Sequence, residues 1–114
     1  MSVYLIADIN VINRERYEAY RRLLRNAIRL HKGQYLVRGG SLRVVEGSWQ
    51  PPRLVMIEFP SRALAEQFLA SPEYAQARDT AANATMIDMI LVEGIDKAKA
   101  FDDEAGATWS NLRI

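Results

Sequence analysis

Val3-Tyr4-Leu5-Ile6-Ala7-Asp8-Ile9 is the stretch that decides the fold. It is short, β-branched and aromatic, so it reads as a buried strand. Asn13 follows as a helix cap, with Glu15 in the first turn. From there the apolar period lengthens to 3.6 residues per turn. Tyr17, Tyr20, Leu24, Ala27, Ile28 and His31 fall on one helical face, and Arg22, Arg25 and Arg29 on the opposite one. Gly33 stands where a left-handed residue is expected to stop the helix.

The rest of the chain repeats this alternation. Gln34 to Glu46 reads as a second strand, interrupted by Gly39-Gly40, a pair that suggests a bulge or the close approach of a backbone or ligand. Gly47 to Pro52 is a turn-rich connection, and Arg53 to Phe59 is a third strand ended by Pro60. Ser61 opens a helix that carries Leu64, Ala65, Phe68 and Leu69 on one side. Ser71-Pro72-Glu73 opens another, with Tyr74, Ala77, Arg78 and Ala81 on one face. Met86 to Val92 is a fourth strand, ended by Gly94.

The order β-α-β-β-α-β, with its second helix in two pieces, predicts an α+β, ferredoxin-like domain over residues 1–94. Its four-stranded antiparallel sheet carries helices on one face. Tyr4, Ile6, Leu54, Met56 and Ile90 make the helix-free face apolar as well. Such a face is an association surface, so a face-to-face homodimer is expected. In the tail, residues 95–114, Phe101, Trp109, Leu112 and Ile114 are too apolar for a plain solvated segment. The tail is expected to dock on the domain or on the partner subunit.

Composition narrows the function. Fifteen basic against fourteen acidic residues leave a net charge of +1, which gives no general field for nucleic acid or an anionic membrane. Cysteine is absent, which excludes disulfides, thiolate metal sites and a cysteine nucleophile. The apolar run from Val3 is stopped by Asp8, too short for a signal peptide or a membrane span, so a cytoplasmic protein is expected.

His31 is the only histidine, so no histidine-rich metal site is expected. Its inward phase makes it the candidate catalytic base; the structural alternative is a histidine favoured by the helix dipole. Arg38 beside Gly39-Gly40, and Arg78 on the face of Tyr74, suit a carboxylate or phosphate. They suit equally an internal ion pair with Asp8 or Glu58. Asp8, Asn10 and Glu58 are read as strand-end polar groups rather than as a carboxylate pair for acid–base work. Trp49 is a lid aromatic or packs on Pro51 and Pro52. The arginine stripe of the first helix reads as a solvated face, since no RNA-binding signature accompanies it.

Several segments together resemble a known family. These are Tyr4 to Ile9, His31-Lys32-Gly33-Gln34-Tyr35-Leu36-Val37-Arg38-Gly39-Gly40, Val45 to Trp49 with Pro52-Arg53, Ile57-Glu58-Phe59-Pro60-Ser61, and Ser71-Pro72-Glu73-Tyr74 with Arg78. Residues 3–94 thereby resemble the domain-of-unknown-function family 1330 of the dimeric α+β barrel superfamily. The resemblance implies a ferredoxin-like protomer and a dimeric α/β barrel. It implies no activity, because superfamily members include cofactor-free monooxygenases, isomerases, haem-degrading enzymes and plain binding proteins.

Two functions fit these residues. In the first, a small anionic or carbonyl-bearing compound binds between the helices and the sheet. His31, Arg38 and Arg78 supply polarity, Tyr17, Tyr35, Trp49 and Tyr74 supply walls, and Gly39 and Gly40 supply space. Proton transfer or oxygenation then follows with no cofactor. In the second, the protein is a non-enzymatic dimeric assembly or ligand sensor whose polar residues satisfy one another. Haem ligation by the lone His31 has no other support in the sequence.

Overall fold

The computed structural model describes residues 1–95. Seven elements follow in order: β1 (Val3–Val11), α1 (Arg14–Leu30), β2 (Gln34–Arg38), β3 (Leu54–Phe59), α2 (Arg62–Leu69), α3 (Pro72–Ala81) and β4 (Thr85–Glu93). The four strands form one antiparallel sheet in the order β2-β3-β1-β4, the ferredoxin-like topology. The tail expectations for Phe101, Trp109, Leu112 and Ile114 lie outside the described residues.

Local chemistry sets the helix starts. The Asn13 side chain accepts the Arg16 N–H at 3.1 Å. Ser61 accepts from Leu64 at 3.2 Å, and Ser71 from Tyr74 at 3.1 Å, with Pro72 in the first turn of α3. The Ser71 hydroxyl also donates to the Phe68 carbonyl at 2.7 Å, which locks α3 to the end of α2.

The end of α1 departs from expectation. Lys32, not Gly33, takes the left-handed conformation, at φ 62°. Lys32 N–H donates to Arg29 O at 3.1 Å and Gly33 N–H to Ile28 O at 2.9 Å, the paired bonds of a Schellman ending. Gly33 is glycine for space: a Cβ there would lie 2.7 Å from Ile28 Cγ2 and 2.8 Å from Phe59 Cε1.

The core lies between the sheet and the helices. Val3, Leu5, Ala7 and Ile9 of β1 point into it with Val55, Ile57 and Phe59 of β3. They meet Tyr17, Tyr20, Leu24, Ala27 and Ile28 of α1, the face its period predicts apart from His31, which is half-buried. Phe68 stacks with Phe59 at 5.1 Å and with Tyr74 at 4.7 Å between centroids, joining α2 and α3 to β3. Full burial of such a ring contributes about 2–3 kcal/mol, so this stack is a main attachment of both short helices.

The second strand is shorter than predicted. It ends at Arg38 because Gly39, at φ 70°, turns the chain away from β3. The irregularity in pairing falls between Tyr35 and Val37, ahead of the two glycines. Residues 40–53 form the loop back to β3.

On the helix-free face, pairing aligns Val37, Met56, Ile6 and Ile90 in one apolar row across all four strands. Ile90 and Met86 are 62% and 64% exposed there. Among the described residues, no helix is long and apolar enough to cross a membrane.

Candidate functional site

The side chains singled out by sequence divide into three places. His31 ends α1, half-buried, with its ring edge against Phe68 at 5.9 Å. Its Nδ1 lies 2.7 Å from the Ala27 carbonyl, a contact in which Nδ1–H donates. Arg38 stands at the other end of β2, ~13 Å along the strand from Gln34 at 3.3 Å per residue. His31 and Arg38 therefore do not converge.

Arg78 corrects a second expectation. It is exposed, with its guanidinium 5.8 Å from the Tyr74 ring centroid. Its helical phase lies at the edge of the buried face, and its long stem carries the charge out to water. Tyr74 itself is buried, its hydroxyl 3.7 Å from Met89 Sδ. Neither Asp8 nor Glu58 pairs with Arg38 or Arg78. Asp8 accepts from the Trp49 indole N–H at 3.0 Å, and Glu58 accepts from the Tyr4 hydroxyl at 3.3 Å.

Asp8 belongs to the helix-free face, so its bond places Trp49 on the side of the sheet opposite Tyr17, Tyr35 and Tyr74. With Leu42, Val45, Pro51 and Leu54, Trp49 lines a shallow cleft of about 370 Å³. It walls no space near His31.

Four of the expected residues do gather, around one that sequence reasoning missed. Arg53 places its guanidinium 5.8 Å from the Tyr17 ring centroid. The same guanidinium fills the space that a Gly39 side chain would need, and it approaches the Arg38 carbonyl at 3.5 Å. Arg38 in turn lies 5.0 Å over the Tyr35 ring. Gly39 thus admits Arg53 rather than a ligand, while Gly40 borders open space. The missed signal is one of phase. Arg53 shares the alternation of Val55, Ile57 and Phe59, which puts a cation on the core side of the sheet.

Arg53 also lines a cleft of about 460 Å³ at the start of α1. Arg14, Tyr17, Glu18 and Arg21 line it from the helix, and Val11 and Ile12 from the end of β1. Glu18 is engaged with Arg21 at 3.2 Å. Among the described residues, Arg14 and Arg53 have no carboxylate within salt-bridge distance, and the buried Arg53 Nε has no hydrogen-bond partner. A buried unsatisfied donor costs ~1–3 kcal/mol, so its presence beside a cleft is informative.

Behind Tyr17 the phenol of Tyr20 lies close enough to Tyr35 and Tyr74 to be influenced by them. Burial raises the pKa of Tyr20, and the neighbouring Tyr74, Tyr17 and Tyr35 add to it. Burial also raises Tyr35 and Tyr74, against the opposing charges of Arg38 and Arg78. Tyr20, Tyr35 and Tyr74 stay protonated near neutral pH, as donors and not as bases. No group of three potential metal ligands occurs among the described residues. The cleft suits recognition of an anion.

The family described as "Domain of unknown function (DUF1330)" matches residues 2–95. A comparison with curated proteins finds no match. A protein of unknown function from Rhodopseudomonas palustris shares the fold at a TM-score of 0.67 and 16% identity, over 83% of each chain. A dimeric ferredoxin-like protein of unknown function from Jannaschia sp. CCS1 matches at 0.61 and 11%, over 82% of this chain and 100% of its own. SnoaB, a cofactor-independent oxygenase from Streptomyces nogalater, matches at 0.56 and 13%, over 84% of this chain and 95% of its own. At these identities the likeness is one of fold.

Proposed function

The chain belongs to the DUF1330 family, and from that premise we propose that it is a homodimeric, cytoplasmic protein that binds a small anionic or carbonyl-bearing compound at the start of α1. The observation that carries the reading is Arg53: a guanidinium in the core-facing register, beside an open cleft, with no acidic partner among the described residues. Arginine presents a planar fork of donors that matches a carboxylate or phosphate edge. Tyr17 supplies an aromatic wall, and the cleft volume falls within the usual range for small-molecule sites.

Two uses of such a site are distinguished by His31. In the enzymatic use, His31 acts as the base through Nε2 in proton transfer or cofactor-free oxygenation. In the sensing use, the ligand is held and no reaction follows. Geometry favours sensing, because α1 separates the two places: its 17 residues at 1.5 Å each put His31 ~25 Å from Arg14.

The homodimer is supported by the apolar row Val37, Met56, Ile6 and Ile90 and by the dimeric relative from Jannaschia. A stable interface there buries more than ~1,000 Å² in total.

Thermal-shift titration with small carboxylates and phosphates tests the binding reading. Stabilisation that survives His31→Ala and disappears in Arg53→Ala is expected, since a ligand bound to the native state raises apparent stability by mass action. Loss in His31→Ala with retention in Arg53→Ala would move the site to the other end of α1.

A further inference from the structure

Resting on the reading just given, we propose that the cleft at the start of α1 selects a dianionic head group, a phosphate monoester or a closely spaced pair of carboxylates, over a monoanion. The charge count is the first ground. Among the described residues, Arg14, Arg21 and Arg53 line the cleft with Glu18 as the one carboxylate, which leaves two positive charges in one small space. Glu18 is occupied by Arg21, so the surplus sits on Arg14, at the start of α1, and Arg53, just ahead of β3. Two guanidinium groups around one cleft, neither with a carboxylate partner among the described residues, repel each other, and a monoanion offsets only one of them. A dianion neutralises both, each through a paired N–H···O contact.

Arg53 is held in place by packing. Tyr17 stacks on one side and Gly39 leaves room on another, so the fork is ordered before any ligand arrives. Pre-ordering lowers the entropic cost of binding. Its Nε lacks an acceptor among the described residues, which leaves this guanidinium incompletely satisfied beside the cleft. The start of α1 adds its partial positive charge to the same cleft, where Asn13 has already satisfied the Arg16 N–H. Val11 and Ile12 offer an apolar edge, so the head group has room for a short apolar stem.

Isothermal titration calorimetry separates charge from shape with four probes. Phenyl phosphate is the dianion, and methyl phenyl phosphate is the same head with one charge removed. Phthalate and benzoate make the corresponding pair among carboxylates. At least one dianion is expected to bind about tenfold more tightly than its monoanionic counterpart, or tighter still, which is the size of effect expected from one added charge-assisted contact. Tight binding of phenyl phosphate alone identifies a phosphate site, and of phthalate alone a dicarboxylate site; either supports the proposal.

Arg14→Ala, a change at an exposed position, should abolish the preference between the members of each pair while leaving the melting temperature within a degree or two. Arg53→Lys, which keeps the charge but loses the fork, should weaken both dianions. Arg62→Ala, which removes the α2 arginine paired with Glu93 of β4 and lies outside the cleft, should leave all four affinities unchanged. Equal affinity for dianion and monoanion overturns the dianion proposal and leaves anion binding standing. Absence of heat with all four probes overturns the binding reading itself.

Discussion

Lys32 occupies a left-handed position, φ 62°, that an L side chain adopts at a cost of ~1 kcal/mol or more. Lys32→Gly is therefore expected to stabilise the protein by about 0.5–1 kcal/mol, read as a raised urea midpoint with unchanged slope. Gly33→Ala moves the other way, because its Cβ meets Ile28 and Phe59 inside 3 Å. A loss of about 1–3 kcal/mol is expected from such overpacking. Tyr20 provides a pH signature at the same scale. Its phenol titrates higher folded than unfolded because it is buried. At alkaline pH the unfolded chain thus loses this proton while the folded chain keeps it. Stability is full below about pH 10, the unfolded value, and falls as pH rises above it. Tyr20→Phe should flatten that alkaline loss in melting curves taken from pH 9 to 11. An unchanged slope would assign the loss to other groups.

Between elements, the β1–β4 pairing sets Asp8 directly opposite Asp88. Both belong to the helix-free face, and like charges in register on one face destabilise a sheet. Only Asp8 has a partner there among the described residues, the Trp49 indole from the β2–β3 loop. Asp88→Asn is accordingly expected to raise stability by up to about 1 kcal/mol. A drop in the denaturation midpoint would show that the second carboxylate holds something in place. The same loop shows how little of a connection is visible in residue types. The extended pattern continues past Gly39, yet the strand stops at Arg38: the Gly39 N–H still donates to the Leu54 carbonyl at 2.8 Å, but its φ of 70° turns the chain away there, so the residues beyond it have no strand to pair with. Pairing length is a property of two strands together.

At the scale of the molecule, the helix-free face is the expected association surface. Its central row is apolar across all four strands, and Ile90 stands 62% exposed in it. Ile90→Glu should convert the expected dimer to a monomer in sedimentation at micromolar concentration while the helix content measured by circular dichroism is kept. A monomer already in the unmodified protein would remove the dimer from the functional account. The cleft proposed to bind the anion lies at the start of α1, on the helix side, so Arg53→Ala and Ile90→Glu are expected to act independently: one on ligand binding, the other on association.

Element order, helix caps and the inward face of α1 were legible in the residues alone. Each depends on near neighbours. Asn13, Ser61 and Ser71 cap the turn that follows them, and Tyr17, Tyr20, Leu24 and Ile28 share a face through the helical period itself. The apolarity of both sheet faces was legible for the same reason, since alternation is a local property. The site was not. Arg14 and Arg53 come to one cleft only because β1, α1 and β3 pack as they do, and nothing local in the stretch around either residue names the other. His31 shares the helical phase of the core face yet ends against Ala27 and Phe68, while Arg78 leans out over Tyr74. Periodicity says which way a Cα–Cβ bond points. Where a long charged side chain ends is decided by the space and the partners that tertiary packing leaves it.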